Sequence, residues 1–215
     1  MILRRPCTAL AAVATLLALP ACARGQAVSR AIDSTVVTEL PPGLGQLNQD
    51  VITLRLRTGT LEVRFLPLEE RLIRLLAPDA YQALHQMLRS YRVRIDSIAS
   101  SRGVHDPGVA LVSFHALAPD TRFDPAILTL SLRGQQYRPI GTIPLSPSFS
   151  NQQLDVRAQA SGLFVYERQL PVQEPFSLRY LDGTNEEWER RLQRLDTERA
   201  RILGRSRHAT DSLTP

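Results

Sequence analysis

Residues 51–68 read "VITLRLRTGTLEVRFLPL", with a Thr-Gly-Thr turn at their centre. Arginine, threonine and glutamate alternate with large apolar residues on both sides of that turn. The apolar set is Ile52, Leu54, Leu56, Leu61, Val63 and Phe65. Successive side chains of a strand lie on opposite faces, so the stretch predicts a β-hairpin with one apolar and one charged face. Opposed arginine and glutamate side chains would pair across the charged face.

Two helices are predicted directly after the hairpin. Pro67, Glu69 and Glu70 form a helix start, because proline fits the first turn and carboxylates stabilise the positive end of the helix dipole. Pro78 interrupts this helix and fits the first turn of a second one of about twenty residues. Gly103 ends the second helix, since glycine readily adopts the left-handed conformation found there.

The second helix carries a narrow apolar stripe with steps of three and four residues. Its members are Tyr81, Leu84, Leu88, Tyr91, Ile95 and Ile98. The stripe is suited to a seam between two helices or to packing on a sheet. It is also the candidate surface for a ligand or a partner protein.

An arginine-rich segment, "RSYRVRIDSIASSRG", lies on the same helix. It interleaves Arg89, Arg92, Arg94 and Arg102 with Tyr91. Such a segment is typical of a solvated helix face, and it is also suited to contact with phosphate, lipopolysaccharide or an acidic partner.

Short alternating runs broken by proline, glycine and asparagine follow over residues 109–181. They predict strands at 109–117, 126–133, 136–140, 153–158, 162–169 and 175–181. With the hairpin, this spacing predicts a mostly β (α+β) domain over 51–182, built as an antiparallel β-sandwich with two amphipathic helices.

Three segments of this β region carry a family resemblance. They are "FDPAILTLSLRGQQYRP" with Phe123, Leu128, Leu130, Gly134, Tyr137 and Pro139, "SGLFVYE" with Gly162, Phe164 and Tyr166, and "FSLRY" with Leu178 and Tyr180. Residues 109–182 thus resemble the immunoglobulin-like (telokin-like) domain of bacterial exported lipoproteins of unknown function. The resemblance implies a binding or structural module and assigns no catalytic residue.

The chain is predicted to become helical again over 183–206, with Thr184 or Asn185 as cap. Trp188, Leu192, Leu195 and Ile202 share one side, which Arg199 interrupts, so most of this helix is expected to be solvated. Residues 207–215 are predicted to be a disordered tail.

The N-terminus has the three parts of a secretory signal over residues 1–23. Two arginines precede an apolar run of about a dozen residues, too short for a bilayer-spanning helix of roughly 20. The motif "LPAC" predicts lipid attachment at Cys22, whereas "ACA" and "GQA" are ordinary cleavage sites that would release a protein starting at Arg24 or Val28. Residues 24–50, with Pro41-Pro42-Gly43, are predicted to be a flexible linker.

Composition restricts the chemistry of the exported chain. The sequence has no lysine, which excludes Schiff-base and P-loop lysine mechanisms. The one cysteine besides Cys22 is Cys7, which lies within the signal. Loss of the signal lowers the net charge from +5 to +3, and acids are interleaved with arginines, so no nucleic-acid surface is predicted.

No residue set predicts catalysis, a metal site or a cofactor. His85, His105, His115 and His208 are scattered, and no serine lies in a nucleophile motif. The acid pairs Glu69-Glu70 and Glu186-Glu187 are both explained by helix starts.

The leading hypothesis is a non-catalytic binding or structural module of the bacterial cell envelope, with an envelope protein or a lipid surface as partner. Its location would be the outer membrane or the periplasmic face through a lipid on Cys22, or else the periplasm or medium as a soluble protein. The alternatives are a carrier of a hydrophobic ligand between helices and sheet, and a hydrolase. A cleft that gathers His105 or His115 with a carboxylate would favour the hydrolase.

Overall fold

A computed structural model describes residues 40–211 of the chain. The helices are α1 (Gln49–Ile52), α2 (Glu70–Ile73), α3 (Pro78–Ser101), α4 (Ser148–Asn151) and α5 (Trp188–Asp211), with a 3₁₀ turn at Pro125–Ile127. The strands are β1 (Leu54–Thr58), β2 (Leu61–Pro67), β3 (Gly108–Ala116), β4 (Thr121–Arg122), β5 (Thr129–Leu132), β6 (Gln135–Tyr137), β7 (Pro139–Pro144), β8 (Gln153–Leu154), β9 (Gln159–Tyr166), β10 (Ser177–Tyr180) and β11 (Gly183–Asn185).

The strands form antiparallel sheets, so the predicted mostly β class with added helices is confirmed. A five-stranded sheet has the order β1-β2-β3-β9-β7, a four-stranded sheet has the order β11-β10-β5-β6, and β4 pairs with β8. The strand predicted at 153–158 is only two residues long, and the one predicted at 136–140 is divided between β6 and β7.

Strand β1 has the predicted alternation of buried and exposed residues, whereas β2 is buried on both faces apart from the half-buried Arg64. Leu54 lies opposite Phe65, and both are fully buried. On the other face, Glu62 accepts hydrogen bonds from Arg57 at 2.7 Å and from Arg64 at 2.8 Å. Burial of Glu62 opposes its ionisation, but the two arginines outweigh this effect and hold its pKa below the usual range.

The two larger sheets enclose an aromatic core. The ring of Phe114 on β3 lies 5.7 Å from that of Tyr180 on β10, and it stacks on Phe123 at 4.4 Å. Phe149 also meets Phe114, and a Cβ atom at Gly162 would lie 2.7 Å from the Phe149 ring. The position therefore requires glycine because the ring occupies the space of a side chain.

The sandwich closes where the edge strands β1 and β11 meet. The Asn185 side chain donates to the Arg55 carbonyl at 2.7 Å and accepts from the Glu187 N–H at 2.9 Å, immediately before α5. One side chain thus supplies hydrogen bonds both to a carbonyl group at the edge of β1 and to an N–H group at the start of α5.

Asn185→Ala is expected to lower the free energy of unfolding by about 1–2 kcal/mol, since two largely buried hydrogen bonds are lost. Urea unfolding followed by circular dichroism measures the change. Asn151→Ala, at an exposed site in α4, is the matched control. Equal stabilities of the two variants would contradict this role of Asn185.

The predicted linker over 24–50 differs from the structure in its last eleven residues, which pack against the folded body. Leu40 and Leu47 are buried, and Leu47 pairs with Leu76. The Gln46 N–H donates to Glu198 of α5 at 2.8 Å. Tertiary contacts therefore order a segment whose proline and glycine content indicates a linker.

Helix α5 begins at Trp188 and ends at Asp211, so it starts later than predicted and extends into the predicted tail. Its predicted apolar side is buried at Trp188, Leu195 and Ile202, and most of its other residues are at least partly exposed, as expected. The Arg191 guanidinium donates to the carbonyl groups of Asp50, Val51 and Thr53 at the end of α1. This arrangement attaches α5 to the N-terminal segment.

Helix α3 begins at Pro78, as predicted, and Gly103 after its end has a φ of +68°. Helix α3 packs on strands β7 and β9 and also contacts α2, with Ile98 of its stripe against Gly141 of β7 and Tyr81 bonded to Glu70 of α2. Tyr81, Leu84 and Ile95 are buried, and Leu88, Tyr91 and Ile98 are partly buried against the core. The core itself therefore uses most of the candidate partner surface.

The predicted signal over 1–23, Cys22, residues 24–39 of the predicted linker and the last four residues of the chain lie outside the described residues. Across residues 40–211, no helix combines the length and the apolar character needed to span a bilayer.

Candidate functional site

A cleft of about 280 Å³ lies between α3 and the connections around it. Helix α3 contributes His85, Leu88, Arg89, Arg92 and Ile95 to its lining. The β2–α2 connection, the residues before β3 and the loop after β9 form the other walls. The cleft thus brings two residues of the apolar stripe, Leu88 and Ile95, together with two arginines of the arginine-rich segment.

Ionisable side chains make up more than half of the lining. Besides the three basic residues of α3, the walls hold Glu69, Glu70, His105 and Asp106. This composition differs from the largely apolar lining expected of a carrier for a hydrophobic ligand.

Glu69 is the most deeply buried carboxyl group of the cleft. It stands immediately before α2, and its Oε1 accepts the N–H of Leu170 at 2.8 Å. Burial raises the pKa of Glu69 to about 7, although the Leu170 hydrogen bond and nearby Arg71 oppose the shift. Stabilisation of a helix dipole therefore does not fully explain Glu69, because α2 has only four residues. Glu69 also holds the loop after β9 through its hydrogen bond with Leu170.

Glu70 is the centre of a second network. Its carboxylate accepts hydrogen bonds from Arg74 Nε at 2.7 Å and from the Tyr81 hydroxyl at 2.8 Å, and it lies 3.2 Å from His85 Nδ1. Burial works against ionisation of Glu70, but these bonds outweigh it and keep its pKa below the usual range.

The ring of His85 is held in one orientation. Tyr81 stacks on it with centroids 5.3 Å apart, and the ionised Glu70 requires Nδ1 to be the donor. Within residues 40–211, no side chain or backbone group bonds to Nε2, which is left for a ligand.

Arg89 and Arg92 follow His85 at four and seven residues along α3, which places all three on one helix face. Arg92 pairs with Asp96 at 2.9 Å. Arg89 has no hydrogen bond or ion pair to another described residue, and it is exposed.

The remaining wall contains His105 and Asp106. Gln169 donates to Asp106 at 2.6 Å and thereby links this wall to the loop that Glu69 holds. No group of three or more His, Cys, Asp or Glu side chains in the described part of the chain could hold a metal ion.

The other histidines do not join this cleft. His115 lies on β3, where burial and nearby Arg64 lower its pKa, and its Nε2 is buried without a partner. The side chain of His208 lies outside the described residues. The structure therefore gathers His85 and His105 with carboxylates but leaves His115 elsewhere.

A larger depression of about 470 Å³ lies beside α5 and is lined by Arg190, Arg191 and Arg194. Its central arginine, Arg191, already serves the three carbonyl groups at the end of α1. This depression is therefore largely part of the packing of α5, and the α3 cleft is the better candidate site.

Comparison of the chain with protein-family models, with curated proteins and with solved structures finds no match. The site is therefore interpreted from its own residues. Sequence patterns indicated the arginines and the stripe, but they gave no sign that Glu69 is buried beside them.

Proposed function

We propose that this chain is an exported, non-catalytic binding module of the bacterial cell envelope, with an immunoglobulin-like sandwich as its body and a lipid on Cys22 as its anchor. The observation that carries the binding role is the α3 cleft, where the buried Glu69 and several partly or fully exposed polar side chains surround a space of about 280 Å³. A ligand entering it would meet Glu69, Glu70 and His85 in positions that are already held by hydrogen bonds, which reduces the entropic cost of binding.

The anchor is supported by the sequence around Cys22 and by the place where the body begins. Seventeen residues separate Cys22 from Leu40, which is buried in the body. Fully extended, such a segment spans about 60 Å at most. The folded body would then begin within that distance of the membrane surface, where envelope proteins and lipid headgroups are found.

The anchor is tested by intact-mass analysis of the mature N-terminus and by membrane fractionation of the wild type and Cys22→Ala. We expect a diacylglyceryl-modified Cys22 in the wild type and a shift to the soluble fraction in the variant. Cys7→Ala, within the signal, is the matched control and should leave membrane association unchanged. A wild-type N-terminus at Arg24 or Val28 would contradict the anchor.

Hydrolysis is the second candidate, because the cleft gathers His85 and His105 with carboxylates. In that reaction His85, oriented by Glu70, would accept a proton from an attacking water molecule at Nε2. Turnover of a hydrolase substrate panel that is lost in His85→Ala would replace the non-catalytic proposal.

A further inference from the structure

The α3 cleft has basic side chains that are available to a ligand. Arg89 and His85 line it one helical turn apart, and Arg92 lines it one turn further on. Of these, Arg89 has no partner among the described residues, and His85 is bonded only through Nδ1. An anion in the cleft would therefore meet the Arg89 guanidinium, whose donors no other described residue uses.

The carboxylates of the same cleft are already engaged. Glu70 is shared among Arg74, Tyr81 and His85, and Asp106 accepts from Gln169. Glu69 accepts the Leu170 N–H. With these partners, none of the three carboxylates is paired with Arg89 in the structure.

The size of the cleft indicates a ligand larger than a simple ion. Its volume of about 280 Å³ exceeds that of an inorganic anion, and Leu88 and Ile95 give part of its lining an apolar character. A guanidinium group presents a planar fork of donors that matches phosphate oxygens. The complementary ligand is a phosphate group that carries a small organic part.

We infer that the α3 cleft binds an organic phosphate, with Arg89 as the donor to the phosphate oxygens and Leu88 and Ile95 against the organic part; His85 would donate through Nε2 only in its doubly protonated form. This inference rests on the proposed binding function and names the ligand class of the same site. Two sources share the chemistry: the headgroup of an anionic phospholipid and a soluble phosphate ester.

The test uses the exported chain with Cys22→Ala, so that a lipid anchor does not itself bind vesicles. One arm measures binding of glycerol 3-phosphate by calorimetry at constant ionic strength. The other arm measures binding to phosphatidylcholine vesicles with and without phosphatidylglycerol. Arg89→Gln is compared with Arg94→Gln, which removes the same charge from an exposed position of α3 outside the cleft.

We expect Arg89→Gln to weaken binding roughly tenfold or more, the effect of a lost charge-assisted hydrogen bond, and Arg94→Gln to change it little. Arg89-dependent binding of glycerol 3-phosphate without binding to phosphatidylglycerol vesicles identifies a soluble ester as the source, and Arg89-dependent binding to the vesicles identifies a headgroup. Equal weakening by both variants, or no binding in either arm, overturns the inference. The anchor test on Cys22 is unaffected by that outcome, and release of inorganic phosphate would contradict only the non-catalytic role.

Discussion

Glu69→Gln is expected to stabilise the protein increasingly as the pH rises, reaching about 3 kcal/mol more at pH 9 than at pH 4. Burial raises the pKa of Glu69 to about 7 from a model-peptide value of 4.5. Between pH 4.5 and pH 7, Glu69 therefore keeps its proton in the folded protein but has lost it in the unfolded chain. The contribution of protonated Glu69 to stability is fully present below about pH 4.5. It is lost as the pH rises through 7, because a buried charge then has to form. Glutamine keeps an oxygen for the Leu170 N–H and carries no such charge.

Urea unfolding of the wild type and Glu69→Gln across pH 4–9 measures this effect, with the fluorescence of Trp188 as the probe. Trp188 is the single tryptophan of the chain and is fully buried. Glu189→Gln is the control, because it removes a carboxyl group from an exposed position of α5. Parallel stability curves for the wild type and Glu69→Gln would show that Glu69 ionises as an ordinary carboxyl group.

Gly45→Ala is expected to destabilise the protein by about 2–3 kcal/mol, because a buried site without free space has to accept a methyl group. A Cβ atom at this position would overlap the backbone carbonyl groups of Leu75 and Leu76, which follow α2. Backbone atoms held in a packed turn cannot move aside as the end of a flexible side chain can. The segment around Gly45 would have to separate from the body.

Gly204→Ala is the matched control, since a Cβ atom there meets nothing within 4 Å. Alanine in the middle of α5 should raise stability slightly, by up to about 1 kcal/mol. Thermal unfolding of both variants measures the contrast. If Gly45→Ala were as stable as the wild type, residues 40–50 would not be part of the cooperative unit.

Periodic patterns predicted much of this fold. The two-residue alternation of β1 and β2 fixes both the hairpin and its faces, and Pro78 and Gly103 delimit α3. The strands β4 and β11 were missed because two or three residues are too few to express a period. Sequence periodicity therefore predicts an element in this fold where the element is long enough to show a repeat of apolar residues.

The site was less predictable because it depends on residues far apart in the chain. Arg89 and Arg92 were recognisable as an arginine-rich helix face, suited either to solvent or to phosphate. Glu69 looked like half of an acid pair at a helix start, but its burial depends on Leu170, 101 positions away. No local pattern encodes such an environment.

The contact between Gln46 and Glu198 joins positions 152 residues apart. Synthesis proceeds from the N-terminus, so the segment beginning at Leu40 is made first and finds its helical partner last. Loops of this length slow the formation of the contacts that close them. The segment can therefore pair with Leu75 and Leu76 early, through Leu47, whereas its contact with Glu198 forms only after α5 has been made.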